Sequence, residues 1–178
     1  MNTIPSKIAL LVLFLSRVAA VNATTNWIDG VGDWFNPANW SAGVPTSGNR
    51  GQIGNGGTAQ IAADAGNADV SVGVNFVSGN LVVSGSGRLN GSVDVGFSGN
   101  GTLMISDGGM VTNSVNPVIG LTGPGVAIVT GVGSSWTHTG NCRIGDWDLG
   151  TLKILAGGKV VTGSVSIGGT SIGGSATI

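Results

Sequence analysis

From Val95 to Ile178, apolar and polar residues alternate in short phrases bounded by glycine, and one phrase occurs twice at a fixed distance. The first copy reads Gly101-Thr102-Leu103-Met104-Ile105, then Gly108-Gly109-Met110-Val111-Thr112. The second reads Gly150-Thr151-Leu152-Lys153-Ile154, then Gly157-Gly158-Lys159-Val160-Val161. Gly96, Gly101, Ile105 and Gly109 recur after 49 residues as Gly145, Gly150, Ile154 and Gly158. Ile119-Gly120 and Gly125-Val126-Ala127-Ile128-Val129 fall near the midpoint, and Ile167-Gly168 opens a further round. The underlying period is therefore about 24 residues, which is the range of solenoid repeats.

Within each copy the alternation is that of a half-buried strand, with Leu103 and Ile105 on one face and Thr102, Met104 and Ser106 on the other. The second copy tests the assignment, because Lys153 takes the place of Met104 and Lys159 that of Met110. An unpaired ammonium is costly to bury, so these two columns are expected to face solvent. Leu152, Ile154 and Val160 then hold the inward columns of Leu103, Ile105 and Val111. The apolar phrases are too short for helices and rich in Val, Ile and Thr, and Gly-Gly, Gly-Ser and Asp-Gly pairs supply corners between them. Sandwiches and barrels also use short strands. Near-identical wording at one period instead predicts stacked coils: an all-β, single-stranded right-handed parallel β-helix of about six coils, on the order of 30 Å long at the usual strand spacing.

Upstream, Gln60-Ile61, Val70-Ser71-Val72 and Asn80-Leu81-Val82-Val83 read as less regular strands. Thr24 to Thr46 differs in character, with Trp27, Trp34 and Trp40 set among Asn36-Pro37 and Val44-Pro45. A solenoid has an open end to cover, and three indoles suit a cap better than a platform for stacking sugars. Met1 to Ala23 has Lys7, an apolar run from Ile8 to Leu15, and the small-residue ending Val21-Asn22-Ala23, the pattern of a secretory signal peptide too short to span a bilayer. The expected organisation is a leader over 1–23, a cap over 24–50, and β-helix repeats over 51–178. No transmembrane segment is expected in the mature chain.

Composition sharpens this picture. Charged residues are 8% of the chain and 41% of it is hydrophobic, with 34 glycines. Low charge with that much apolar residue describes a packed β structure and not a disordered linker. Without the leader, five basic residues face eight aspartates, which leaves no basic footprint for nucleic acid. Cys142 is the one cysteine, so no internal disulfide forms. Asn39, Asn90 and Asn100 each begin an Asn-X-Ser/Thr acceptor triplet.

Few residues invite chemistry. His138 is the only histidine and lies just past Trp136 at an expected coil exit, which places it on the surface and not in a catalytic pair. Cys142 alternates with Ile144 and is expected inside, as a small hydrophobe. Asp146-Trp147-Asp148 is the densest acidic point; paired carboxylates bind calcium or act on sugars, but alignment with Phe97-Ser98-Gly99 predicts an exposed turn. No catalytic, cofactor-binding or metal-ligating set is expected.

Two segments resemble a known family. Gly101 to Asn113 is similar to the repeat of bacterial autotransporter passenger domains (autotransporter-associated β-strand repeats). Val129 to Thr137, with its Gly133-Ser134-Ser135-Trp136 phrase, resembles the coil that follows, and Trp34 to Pro45 resembles the entry segment of such exported proteins. The resemblance implies a right-handed β-helix displayed at, or released from, a Gram-negative-type cell surface. No run of ten-residue alternating strands supplies a membrane barrel, so the chain reads as a passenger portion, a truncated product, or a relative exported by another route. The expected role is a structural or adhesive module meeting a host or matrix surface or its own copies. The competing expectation is a polysaccharide-degrading β-helix using Asp146 and Asp148, with Trp147 as a stacking surface.

Overall fold

A computed structural model describes residues 23–113, 116–169 and 175–177. The leader expected over Met1 to Ala23 therefore lies outside the described residues, except for Ala23 itself. The strands follow one another in coils. The first coil has β1 (Ala23–Asn26) and β2 (Val31–Asp33), and the second β3 (Asn49–Ile53), β4 (Thr58–Ile61) and β5 (Asp64–Asn67). The third has β6 (Val70–Val72), β7 (Gly79–Ser84) and β8 (Arg88–Asn90), and the fourth β9 (Val93–Val95), β10 (Gly101–Ser106) and β11 (Met110–Asn113). The fifth has β12 (Val118–Ile119), β13 (Gly125–Thr130) and β14 (Ser135–His138), and the sixth β15 (Asn141–Ile144), β16 (Gly150–Leu155) and β17 (Lys159–Val161). β18 (Ser164–Ile167) and β19 (Ser175–Thr177) begin another.

Each strand pairs in parallel with its counterpart one coil away, giving three sheets. The first runs β1-β3-β6-β9-β12-β15-β18, the second β2-β4-β7-β10-β13-β16-β19, and the third β5-β8-β11-β14-β17. This is the expected β-solenoid of about six turns. In the second sheet Gly101 pairs with Gly79 on one side and Gly125 on the other, and Gly125 pairs with Gly150. Coil length thus varies between 22 and 25 residues while the columns stay aligned. Lys153 lies half-exposed in the column of Met104, and Lys159 exposed in the column of Met110. Both face outward, as the cost of burying an ammonium requires. Leu103, Ile105, Val111 and Leu152 are buried, and Ile154 and Val160 pack half-buried against the same core.

The repeated glycines have two separate causes. Gly73, Gly96, Gly120 and Gly145 turn the corner from the first sheet to the second with φ between +72° and +81°, a region open to glycine at low cost. A Cβ on Gly101 would strike the Gly96 nitrogen and the Val72 carbonyl oxygen, so backbone from the adjacent coil fills the side-chain space there.

The N-terminal end is closed by aromatic packing. Trp27, Trp34 and Trp40 are buried. Trp40 meets the other two edge to face, at centroid distances of 5.0 Å and 4.8 Å, and its Nε1 donates to the Trp34 carbonyl at 2.8 Å. Just beyond it the chain folds along the free edge of β1. Ser41 N donates to Asn26 O (2.9 Å), Asn26 N to Ser41 Oγ (2.9 Å), and Thr25 Oγ1 to Gly43 O (2.8 Å). An edge that would otherwise invite another strand is thus occupied. The indoles form a cap and not an exposed platform.

Candidate functional site

His138 corrects the sequence expectation: it is 2% exposed and not at the surface. The strand β14 keeps its alternation to the last residue, so Trp136 and His138 both point inward and the coil turns one residue later than expected. The imidazole packs edge to face on Trp136 (5.7 Å). Neither ring nitrogen has a hydrogen-bond partner of normal geometry. Burial lowers its pKa, with the nearby Gly140 backbone pulling the other way. Trp136 directs its own Nε1 to Asn113 Oδ1 (3.1 Å). Beside this pair runs a groove of about 530 Å³ along the corner between the third and first sheets. Its walls are neutral and polar (Asn90, Ser92, Thr112, Thr137) with one carboxylate, Asp69, which accepts from Ser92 N at 2.7 Å.

Cys142 is fully buried, and desolvation pushes its thiol up to about 11. A thiol in that state is a packing group and not a nucleophile. Asp146, Trp147 and Asp148 occupy the expected loop between β15 and β16. Asp146 Oδ2 accepts from Arg143 Nη1 at 2.7 Å, and Asp148 Oδ1 accepts from Leu149 N at 2.7 Å. One carboxylate is thus neutralised by an ion pair and the other shapes its own turn. Trp147 is 54% exposed. Among the described residues no group of three or more His, Cys, Asp or Glu side chains is placed to hold a metal ion, and no helix is long and apolar enough to cross a membrane.

Of the glycosylation triplets, Asn39 is buried and its Nδ2 donates to Asp33 O (2.9 Å), while Asn90 and Asn100 are exposed.

One cluster was not read from the sequence. On the outer face of the first sheet, Arg50 Nη1 reaches Asp94 Oδ2 at 3.1 Å and Ser71 Oγ at 3.0 Å. Asp94 is two coils beyond Arg50, so the guanidinium straps three coils together. Burial raises the Asp94 pKa, and Arg50 opposes that rise. Arg50 lies two residues before Gln52, whose outward column continues through Ser71 to Asp94, so the pairing follows from the register and leaves no motif in the sequence.

The fold defines the chain as a β-solenoid. No family model matches it, and no curated protein or solved structure matches it either.

Proposed function

We propose that the chain is an exported β-solenoid acting as a rigid structural or adhesive module, displayed at or released from a cell surface, with no catalysis of its own. The observation that carries this reading is the stack of three parallel sheets around one apolar interior, closed by tryptophan at its N-terminal end. Such a rod holds surface side chains at fixed spacing, which is what a stalk or display scaffold needs. Export is supported by Lys7 and the apolar run from Ile8 to Leu15. The non-enzymatic part rests on how the candidate groups are engaged: Asp146 by Arg143, Asp148 by its own turn, and Cys142 and His138 by packing.

The full chain expressed in a Gram-negative host tests this. Intact mass and cell fractionation are expected to show cleavage near Val21-Asn22-Ala23 and a product outside the cytoplasm. That product is expected to adhere to cells or matrix-coated surfaces, or to itself. An unprocessed cytoplasmic chain removes the export reading, and an exported chain that binds nothing removes adhesion. Depolymerisation of a polysaccharide, lost in Asp146→Asn, replaces both with an enzyme.

A further inference from the structure

The corner between the first and second sheets carries a strip of side chains, one from each of four successive coils. Its loops stack through backbone hydrogen bonds: Phe76 N to Ser98 O (3.0 Å), Thr122 N to Phe97 O (3.3 Å) and Trp147 N to Leu121 O (3.0 Å). The outer positions run Phe76, Ser98, Thr122, Trp147. Two exposed aromatic rings therefore bracket two hydroxyls over three coil spacings, about 14 Å in all.

Phe76 breaks two rules at once. It is 91% exposed, and its φ of +62° follows a φ of +57° at Asn75. The two positive φ values belong to a tight turn closed by Val77 N to Val74 O (3.1 Å), and that turn holds the phenyl ring in water, where packing gains nothing from it. Trp147, at the other end, is the other exposed ring of the strip. The hydroxyls between them have unused capacity. Ser98 Oγ accepts from Asn75 N (2.9 Å) and keeps its proton to donate, whereas Thr122 Oγ1 donates to Phe97 O (2.6 Å) and keeps lone pairs to accept. Half-buried Phe97 and Leu121 flank them.

We propose that this strip binds a neutral, linear, hydroxyl-rich oligosaccharide. Sugar rings offer C–H faces to aromatic rings and hydroxyls to the donor and acceptor between them, and they repeat at about the spacing of one coil. The charge pattern selects the class. Loops 73–78, 96–100, 120–124 and 145–149 contain no lysine or arginine, and the nearby Arg143 is paired with Asp146. An anionic glycan, a nucleic acid or an anionic lipid surface would find no cation there. The inference goes beyond the structural and adhesive reading and does not depend on export.

Trp147 is the only exposed tryptophan, the other four being at most 3% exposed, so acrylamide quenching of the purified full chain reports on the strip. Cellohexaose, xylohexaose, chitohexaose and maltohexaose are titrated as neutral probes, with a heparin hexasaccharide as the anionic one. At least one neutral hexasaccharide is expected to protect Trp147, with affinity about tenfold weaker in Phe76→Ala, the loss of one stacked ring. Leu155→Ala, exposed on a different corner, is expected to leave that affinity unchanged. The proposal is overturned if no neutral hexasaccharide protects at millimolar concentration, if Phe76→Ala binds equally well, or if only the heparin fragment protects. Protection that grows with protein concentration in the absence of sugar assigns the strip to a second copy and also overturns it.

Discussion

Leu103 and Leu152 point into the same interior column two coils apart, with Ala127 between them in the parallel ladder. The column runs Ala59, Leu81, Leu103, Ala127, Leu152, so one small residue separates the adjacent pair Leu81 and Leu103 from Leu152 in the close-packed interior. Leu103 is fully buried, whereas Lys153, directly after Leu152, lies half-exposed. Leu103→Ala is therefore expected to cost about 2–5 kcal/mol, the range for a leucine truncated in a packed interior. Lys153→Met is expected to change stability by less than about 0.5 kcal/mol. Urea unfolding followed by circular dichroism checks both, and equal costs would place the two residues in similar surroundings, contrary to the fold.

This column also shows what the sequence made readable. Alternation fixes which face is inside, and glycines repeat because backbone from the next coil fills their side-chain space, so both leave a periodic trace. His138 kept the parity of Trp136, and only an assumed coil exit placed it outside. The Arg50–Asp94 strap and the Phe76–Trp147 strip left no such trace. Each depends on which residues of different coils come level, and coils of 22 to 25 residues shift that alignment in ways a mean period does not encode. The extra residue in the Asn75-Phe76 loop is invisible until Gly73 and Gly79 are seen aligned with Gly96 and Gly101.

Ala156 is in the wrong place for an alanine. It turns the corner from the second sheet to the third with φ +48°, in the column where Gly85 and Gly131 have φ +60° and +88° and Asp107 has +53°. An L side chain in this region is strained, and glycine relieves it. Ala156→Gly is expected to stabilise the chain by about 1 kcal/mol, and Gly131→Ala to destabilise it by a similar amount. A calorimetric melting series reads both signs directly, and a lower Tm for Ala156→Gly would refute the strain.

His138 makes stability depend on pH in a defined direction. Its folded pKa is lowered, so the unfolded chain binds the extra proton first. The stabilisation is fully present above the unfolded value of about 6.5 and is lost as pH falls through the folded pKa. Since this is the only histidine, the slope between pH 7 and 5 belongs mainly to it. The raised pKa of Asp94 contributes with the opposite sign, favouring the folded state at the acid side. Urea midpoints at pH 7.5 and 5 are expected to differ in the parent chain and to converge in His138→Gln. A parent chain with no acid loss would contradict the buried, neutral imidazole.

The Arg50–Asp94 pair is unequal, and its two truncations are expected to differ for that reason. The Arg50 side chain is 28% exposed and also bonds Ser71, whereas that of Asp94 is 14% exposed. Removing the arginine leaves a carboxylate desolvated without its main counter-charge. Removing the aspartate leaves a guanidinium that still reaches Ser71 and water. Arg50→Ala is therefore expected to cost about 2 kcal/mol at pH 7, more than Asp94→Asn, because an unpaired buried charge is worse than a lost surface contact. The Arg50→Ala cost is expected to shrink from pH 7 into acid, where the carboxyl, its pKa raised by burial, takes a proton and no longer needs its partner. A double-mutant cycle at both pH values, read from denaturant midpoints, measures the coupling, expected at about 1 kcal/mol at neutral pH and near zero in acid. Equal single-mutant costs with no coupling at pH 7 would show that the strap joins the three coils in geometry only.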